Sequence, residues 1–426
     1  MRVVLHNKTR LTVSKPVLVM GITLSLSIMY QIYFRGFIEG EIVGGGMERL
    51  LLKIIALTTI MFSLRKYVSL KSFQINIVYK IPLLFISLTI AVIIPFLPAS
   101  YLQAVNMFFF IPLLFINWNK PGGTELYRLI WIIIALTVII QLILDPVFKS
   151  YYQVYWNNRA VIGGMGNPNV FGVFLVASGI VSAFFFPLKY RIVSPFLFVS
   201  TALTGSLVSS LVGFGCFFLQ LIIYFFYELP HLMIMLEKLR FRVRSANNLI
   251  VFSVIAILLA FIFRIGSTIG DISIGHVTNK FIAFQFFLDG NLDPGTSSIT
   301  IRLDYLYHGL KLLSENPLGL LFGHPNFIPM YNGDGLWISY IVTYGVPVTL
   351  SFLSVNLLLC YRGMRSKKPE YVVSALMIVI MMLYFLTNRI LDYWPAALIY
   401  MLAFSFLAIK DVNPRSRAQQ TSARTL

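Results

Sequence analysis

Three stretches of the sequence set an arginine, a histidine or a carboxylate beside a glycine turn or a helix start. The first runs Asn157-Asn158-Arg159-Ala160-Val161-Ile162-Gly163-Gly164-Met165-Gly166-Asn167-Pro168-Asn169. Pro168 falls where the first turn of an apolar helix begins, and its missing N–H costs nothing there. Asn167 is placed to cap that helix. One reading is a capped helix start after a glycine turn. The other is an anion or sugar site, built from the free N–H groups of the helix N-terminus and a bidentate contact from Arg159.

The second stretch is Ser298-Ile299-Thr300-Ile301-Arg302-Leu303-Asp304-Tyr305-Leu306-Tyr307-His308. Leu303, Leu306, Leu310 and Leu313 recur at helical spacing, which predicts an amphipathic helix with Ser298 or Thr300 at its cap. Arg302 then sits near the helix N-terminus, where dipole and guanidinium attract the same anion. Its other reading is a surface pair with Asp304, worth little. Turn-rich Glu315-Asn316-Pro317-Leu318-Gly319 and Gly323-His324-Pro325-Asn326 follow. The third stretch opens at Asp334-Gly335 and runs as a helix towards Gly345 and Pro347, which allow a kink. Asp334 reads equally as that helix's N-cap and as a general base or orienting carboxylate for an incoming hydroxyl.

The elements that must hold these residues are apolar. The 426-residue chain is 58% hydrophobic and 12% charged, with a mean hydropathy of +0.81. Soluble domains carry about 25% charged residues. A spanning helix needs about 20 mostly apolar residues, and about twelve such segments can be drawn. They lie near 16–34, 48–64, 79–97, 101–117, 127–145, 168–187, 191–205, 207–227, 249–265, 336–360, 371–388 and 390–409. Pro16 to Phe34 lacks a small-residue cleavage site and reads as an uncleaved first helix. With the N-terminus in the cytoplasm, most of the 34 Lys and Arg fall in inside loops. The C-terminus then returns to the cytoplasm with the basic tail. Arg159, the interval 266–335 and Arg389 fall outside together.

The predicted fold is therefore all-α and polytopic. Residues 1–265 form about nine membrane helices with an outer loop near 146–167. Residues 266–335 form one large periplasmic loop carrying short amphipathic helices. Residues 336–409 form about three more spans, and 410–426 form a basic cytoplasmic tail. The net charge of +18 invites a nucleic-acid partner, but clusters of basic residues between apolar segments are what membrane insertion sets. Cys216 and Cys360 sit in apolar runs and read as small buried residues. No His/Cys/Asp cluster has metal-ligand spacing, and no phosphate-binding glycine loop carries a lysine. Few acids fall mid-span, which disfavours ion-coupled transport.

At these three stretches the sequence resembles the bacterial O-antigen polymerase and O-antigen ligase superfamily. The matching residues are Arg159, Gly163, Gly166 and Asn167-Pro168-Asn169; Arg302 followed by Asn316-Pro317-Leu318-Gly319; and Asp334-Gly335 running to Gly345. Thr204-Gly205-Ser206 matches a further pattern, with Leu207 where an arginine often follows. Ligases usually show His-Asn where this chain has Asp334-Gly335, so the resemblance favours the polymerase branch.

The resemblance implies an inner-membrane glycosyltransferase that needs no cofactor. Its donor and acceptor would be undecaprenyl-pyrophosphate-linked oligosaccharides, and a chain-length regulator would be a protein partner. It implies catalytic roles for Arg159, Arg302 and Asp334. Asn167, Asn169, His308, His324 and Arg389 would bind substrate. A ligase and a polysaccharide flippase are the alternatives. The flippase would line its cavity with cations along several helices, whereas here the cations gather at helix ends.

Overall fold

The computed structural model describes residues 46–68, 109–120, 122–144, 168–185, 298–324, 337–366, 368–385 and 393–409, with residues 19, 21–24, 220, 222 and 391. These residues are mostly helical. Among them, the only β pairing is a single bridge between Val68 and Ile116. In chain order the helices are α1 (Gly46–Ser63), α2 (Gly123–Leu144), α3 (Pro168–Phe185), α4 (Ser298–Glu315), α5 (Gly319–Phe322), α6 (Trp337–Tyr344), α7 (Val346–Arg365), α8 (Pro369–Phe385) and α9 (Trp394–Ala408). Proline opens α3 and α8 and stands in the first turn of α7 and α9, where its lost N–H had no helical partner anyway.

The apolar segments at 48–64, 127–145, 168–187, 371–388 and 390–409 are helical close to the expected bounds. Two expectations are revised. The segment 336–360 is two helices, α6 and α7, separated by Gly345. The described end of segment 101–117 holds a 3-10 helix, Ile111–Phe115, rather than a membrane helix. The segments at 16–34, 79–97, 191–205, 207–227 and 249–265 lie wholly or largely outside the described residues.

Helices α7, α8 and α9 alternate in direction. The C-terminal end of α7 meets the start of α8, where a Cβ on Gly363 would stand 2.5 Å from that of Ala375. This close approach through small residues is how helices associate where lipid removes the hydrophobic drive. At the same end the Arg362 guanidinium donates to Leu407 O and Ile409 O, both at 2.6 Å, and so closes the last turn of α9. At the other end of α7, Tyr340, Phe352, Phe385 and Tyr400 form a cluster of rings 5.6–6.3 Å apart. Midway, buried Asn356 accepts a hydrogen bond from the Tyr400 hydroxyl at 2.9 Å, a kind of contact worth about 0.6–2 kcal/mol between membrane helices.

One end of the bundle is basic. Lys120 donates to Lys66 O at 3.0 Å, tying the turn after α1 to the turn before α2. Arg128, in the first turns of α2, pairs with Glu370 in the first turn of α8. Beside them Tyr127 shares a hydrogen with Ser374 at 2.5 Å, and Trp118 donates to Ser405 at 3.1 Å. Arg362 and Lys368 lie over the Tyr371 ring. The Glu370 side chain is 4% exposed and that of Arg128 is 44% exposed.

The outer faces of the bundle are apolar. On α7, Leu350, Leu357, Leu358, Tyr361 and Met364 are exposed along one side, and α1 exposes Leu51, Ile54 and Phe62. The interior holds α3 and α9, buried nearly all round, along with small polar residues such as Ser178, Ser182, Ser374 and Ser405. The 20 residues of α7 are long and apolar enough to cross a membrane. At 1.5 Å per residue, α7 extends about 30 Å, the thickness of a bilayer's hydrocarbon.

Arg128→Ala would strand a buried carboxylate. Breaking a fully buried pair costs about 3–5 kcal/mol. Half-exposure of Arg128 reduces the expected loss to about 2 kcal/mol. The midpoint of thermal unfolding in detergent should fall, and adding Glu370→Gln should restore most of the loss.

Candidate functional site

The site begins with a missing hydrogen bond. In an uninterrupted helix Thr343 O would accept from residue 347, but that residue is proline and has no N–H. Gly345 takes a φ of +81°, ending α6 and restarting the chain as α7. Thr349 N–H makes the first helical bond of α7, to Gly345 O at 3.2 Å, and its hydroxyl donates to the same oxygen at 2.9 Å.

A segment from outside the break packs against it. After α4 the chain turns through Asn316-Pro317-Leu318, held by Gly319 N–H to Asn316 O at 2.9 Å, and makes the single turn of α5. Gly323 then turns with a φ of +78°, and His324 N–H donates to Val342 O at 2.5 Å. The two glycines interlock. A Cβ on Gly323 would stand 2.1 Å from Thr343 O, and one on Gly345 would stand 2.4 Å from Leu321 O. Backbone therefore lies on backbone, with no room for a side chain at either position.

This contact leaves two polar atoms of interest. His324 Nδ1 and Thr343 Oγ1 are both shut off from solvent and make no hydrogen bond. Buried polar atoms are normally paired, and an unpaired one calls for an explanation. Helix α4 packs on α6 through Leu313, Val342, Tyr305, Leu312 and Ile341. His308 stands on α4 with its ring 5.6 Å from that of Tyr307. The Lys311–Glu315 pair at 3.9 Å is exposed and adds little.

The amphipathic face differs from the sequence expectation. Leu313 is buried as expected, but Leu310 is 52% exposed. The buried side of α4 runs through Gly309 and Leu313, because α6 approaches α4 from that side.

Of the expected site residues, His324 is brought against the helix break and His308 lies on the helix that covers α6. Arg302 falls at the fifth residue of α4, and Asn169 in the first turn of α3; their side chains lie outside the described residues. Arg159, Asn167, Asp334 and Arg389 also lie outside them, as does the expected convergence of Arg159 with Arg302.

The sequence reading passed over two residues. Thr343 gave no signal, because an isolated threonine in an apolar run looks like helix interior. Its carbonyl was marked by Pro347 four residues on, which is readable in hindsight from helix geometry. Glu370 looked like a loop acid at a helix start. Its burial depends on Arg128, 242 residues away.

The chain matches no family model, and no curated protein matches it in sequence.

Three neighbouring glycines should respond differently to alanine. Gly323→Ala and Gly345→Ala force both a left-handed φ and a backbone clash, and each should cost about 2 kcal/mol or more. A Cβ on Gly319 meets only Leu313 Cδ2 at 3.5 Å, so Gly319→Ala should be neutral or stabilising by up to about 1 kcal/mol. Thermal unfolding of the three variants in detergent tests this ordering.

Proposed function

We propose that this chain is a multi-pass glycosyltransferase of the bacterial inner membrane. It would polymerise undecaprenyl-pyrophosphate-linked oligosaccharide repeat units into O-antigen or a related surface polysaccharide on the periplasmic side. About twelve spans would carry it, with both termini in the cytoplasm. The observation that carries the reading is the docking of His324 on the break between α6 and α7. That break lies at the start of α7, and the basic cluster lies at its other end. Basic ends face the cytoplasm, so the docked segment faces outward. Such a site meets a lipid-linked sugar whose diphosphate sits at the membrane surface.

The chemistry asks for two things. The acceptor hydroxyl must be oriented and lose its proton as its oxygen bonds the donor's anomeric carbon. The bond from that carbon to the diphosphate breaks at the same time, and the departing diphosphate must be held. Arg302 and Arg159 would hold it, with Arg389, Asn167 and Asn169 beside them. Asp334 would take the proton. His324, His308 and the Thr343 hydroxyl would position the sugar hydroxyls. The unpaired His324 Nδ1 and Thr343 Oγ1 support this assignment; both are closed to solvent, so the docked segment must part for a sugar hydroxyl to reach them.

The test is a gel of surface glycan from a host lacking the gene, complemented in turn with wild type, Arg302→Ala, Asp334→Asn and His324→Ala. Wild type should restore the ladder. Arg302→Ala and Asp334→Asn should leave a single repeat unit on the anchor, and His324→Ala should shorten or thin the ladder. Long chains accumulating on the lipid carrier without reaching the final acceptor would assign the ligase reaction instead. An unchanged ladder in the deletion strain would overturn the proposal.

A further inference from the structure

The docked segment also presents an exposed apolar tip. Leu318, Leu320, Leu321 and Phe322 are 65%, 41%, 53% and 67% exposed. Of the one-turn helix α5, only Gly319 is buried. From Asn316 to Phe322 the chain carries no charge. A run of exposed apolar residues this dense is costly in water and marks an interaction surface.

Its position says what covers it. Helix α5 packs on both α6 and α7, with Leu321 O against Gly345 at the point where α7 begins. From that point α7 extends about 30 Å, the hydrocarbon thickness. Its outward face, from Leu350 to Met364, is apolar. The tip therefore lies at the level where α7 starts. Charged and polar exposed residues, Lys311, Ser314 and Glu315, appear only on the preceding turns.

We infer that the 317–322 tip inserts into the outer leaflet beside the start of α7, so that lipid acyl chains and not a protein partner cover it. The insertion rests on the proposal that the bundle is membrane-embedded. Through the chain's own backbone it fixes His324, two residues on, at the depth of the lipid headgroups. The segment bearing the site is then anchored on both sides: by the helix break on one, by lipid on the other.

Depth-resolved fluorescence quenching tests this on the full chain in lipid nanodiscs. In a background with Cys216→Ser and Cys360→Ala, an environment-sensitive fluorophore is placed singly at Phe322→Cys, Leu357→Cys or Lys311→Cys. All three sites are exposed, so labelling leaves packing intact. Lipids carry a nitroxide either near the headgroup or near the end of the acyl chain. The label at Phe322 should be blue-shifted and quenched several-fold more by the shallow nitroxide than the label at Lys311. The label at Leu357, midway along α7, should respond most to the deep nitroxide. Quenching at Leu357 with none at Phe322 would overturn the insertion while leaving the embedded bundle standing. A blue-shifted but unquenched Phe322 label would assign the tip to a protein partner or a second copy, and would also overturn it. No quenching at Leu357 would sink the embedded bundle itself.

Discussion

Pro347 lacks an N–H, and the end of the bundle where α6 meets α7 is arranged around that gap. A helix running unbroken from Trp337 to Arg365 would leave Thr343 O without its helical donor. Burying a backbone carbonyl unpaired costs about 1–3 kcal/mol. The chain breaks at Gly345, which also takes the Val346 N–H away from Val342 O, and Val342 O accepts its hydrogen bond from His324. The glycines at 323 and 345 let the two backbones approach closely enough for that bond to form. A residue from a distant loop is thereby fixed to a helix end by main-chain geometry, whatever its side chain does.

The two ends of the bundle use different physics. At the basic end, charges and hydroxyls from separate helices satisfy one another: Arg128 with Glu370, Tyr127 with Ser374, Trp118 with Ser405, and Arg362 with the last carbonyls of α9. That end is closed chemically, since each of these groups has its partner. At the opposite end rings stack, the backbone interlocks, and His324 Nδ1, Thr343 Oγ1 and Trp394 Nε1 are buried without a hydrogen bond. Unpaired polarity beside a broken helix is tolerated where a ligand or cavity completes it.

Much of the helical frame was legible in the sequence. Apolar runs of spanning length located α1, α2, α3, α8 and α9, and Pro168 marked the start of α3. Gly345 and Pro347 marked the kink at its true position. The direction of α4 in its packing was less legible: Leu306 and Leu310 share the helical spacing of Leu313, yet Leu310 faces outward. Periodicity identifies an apolar stripe, but spacing alone does not say which part of it the neighbouring helix covers. The docking of His324 was not legible at all. It depends on Val342 O being freed and on two glycines 22 positions apart meeting back to back, and neither leaves a local pattern.

The most direct measurement is reconstitution. The purified chain would be placed in liposomes with undecaprenyl-pyrophosphate-linked repeat units and no other protein, and the glycans resolved by mass. Growth in whole repeat units, with one carrier diphosphate released for each new glycosidic bond, is the expected result. Repeat units that stay unjoined while the chain is folded, or that cross the bilayer without bond formation, would contradict it.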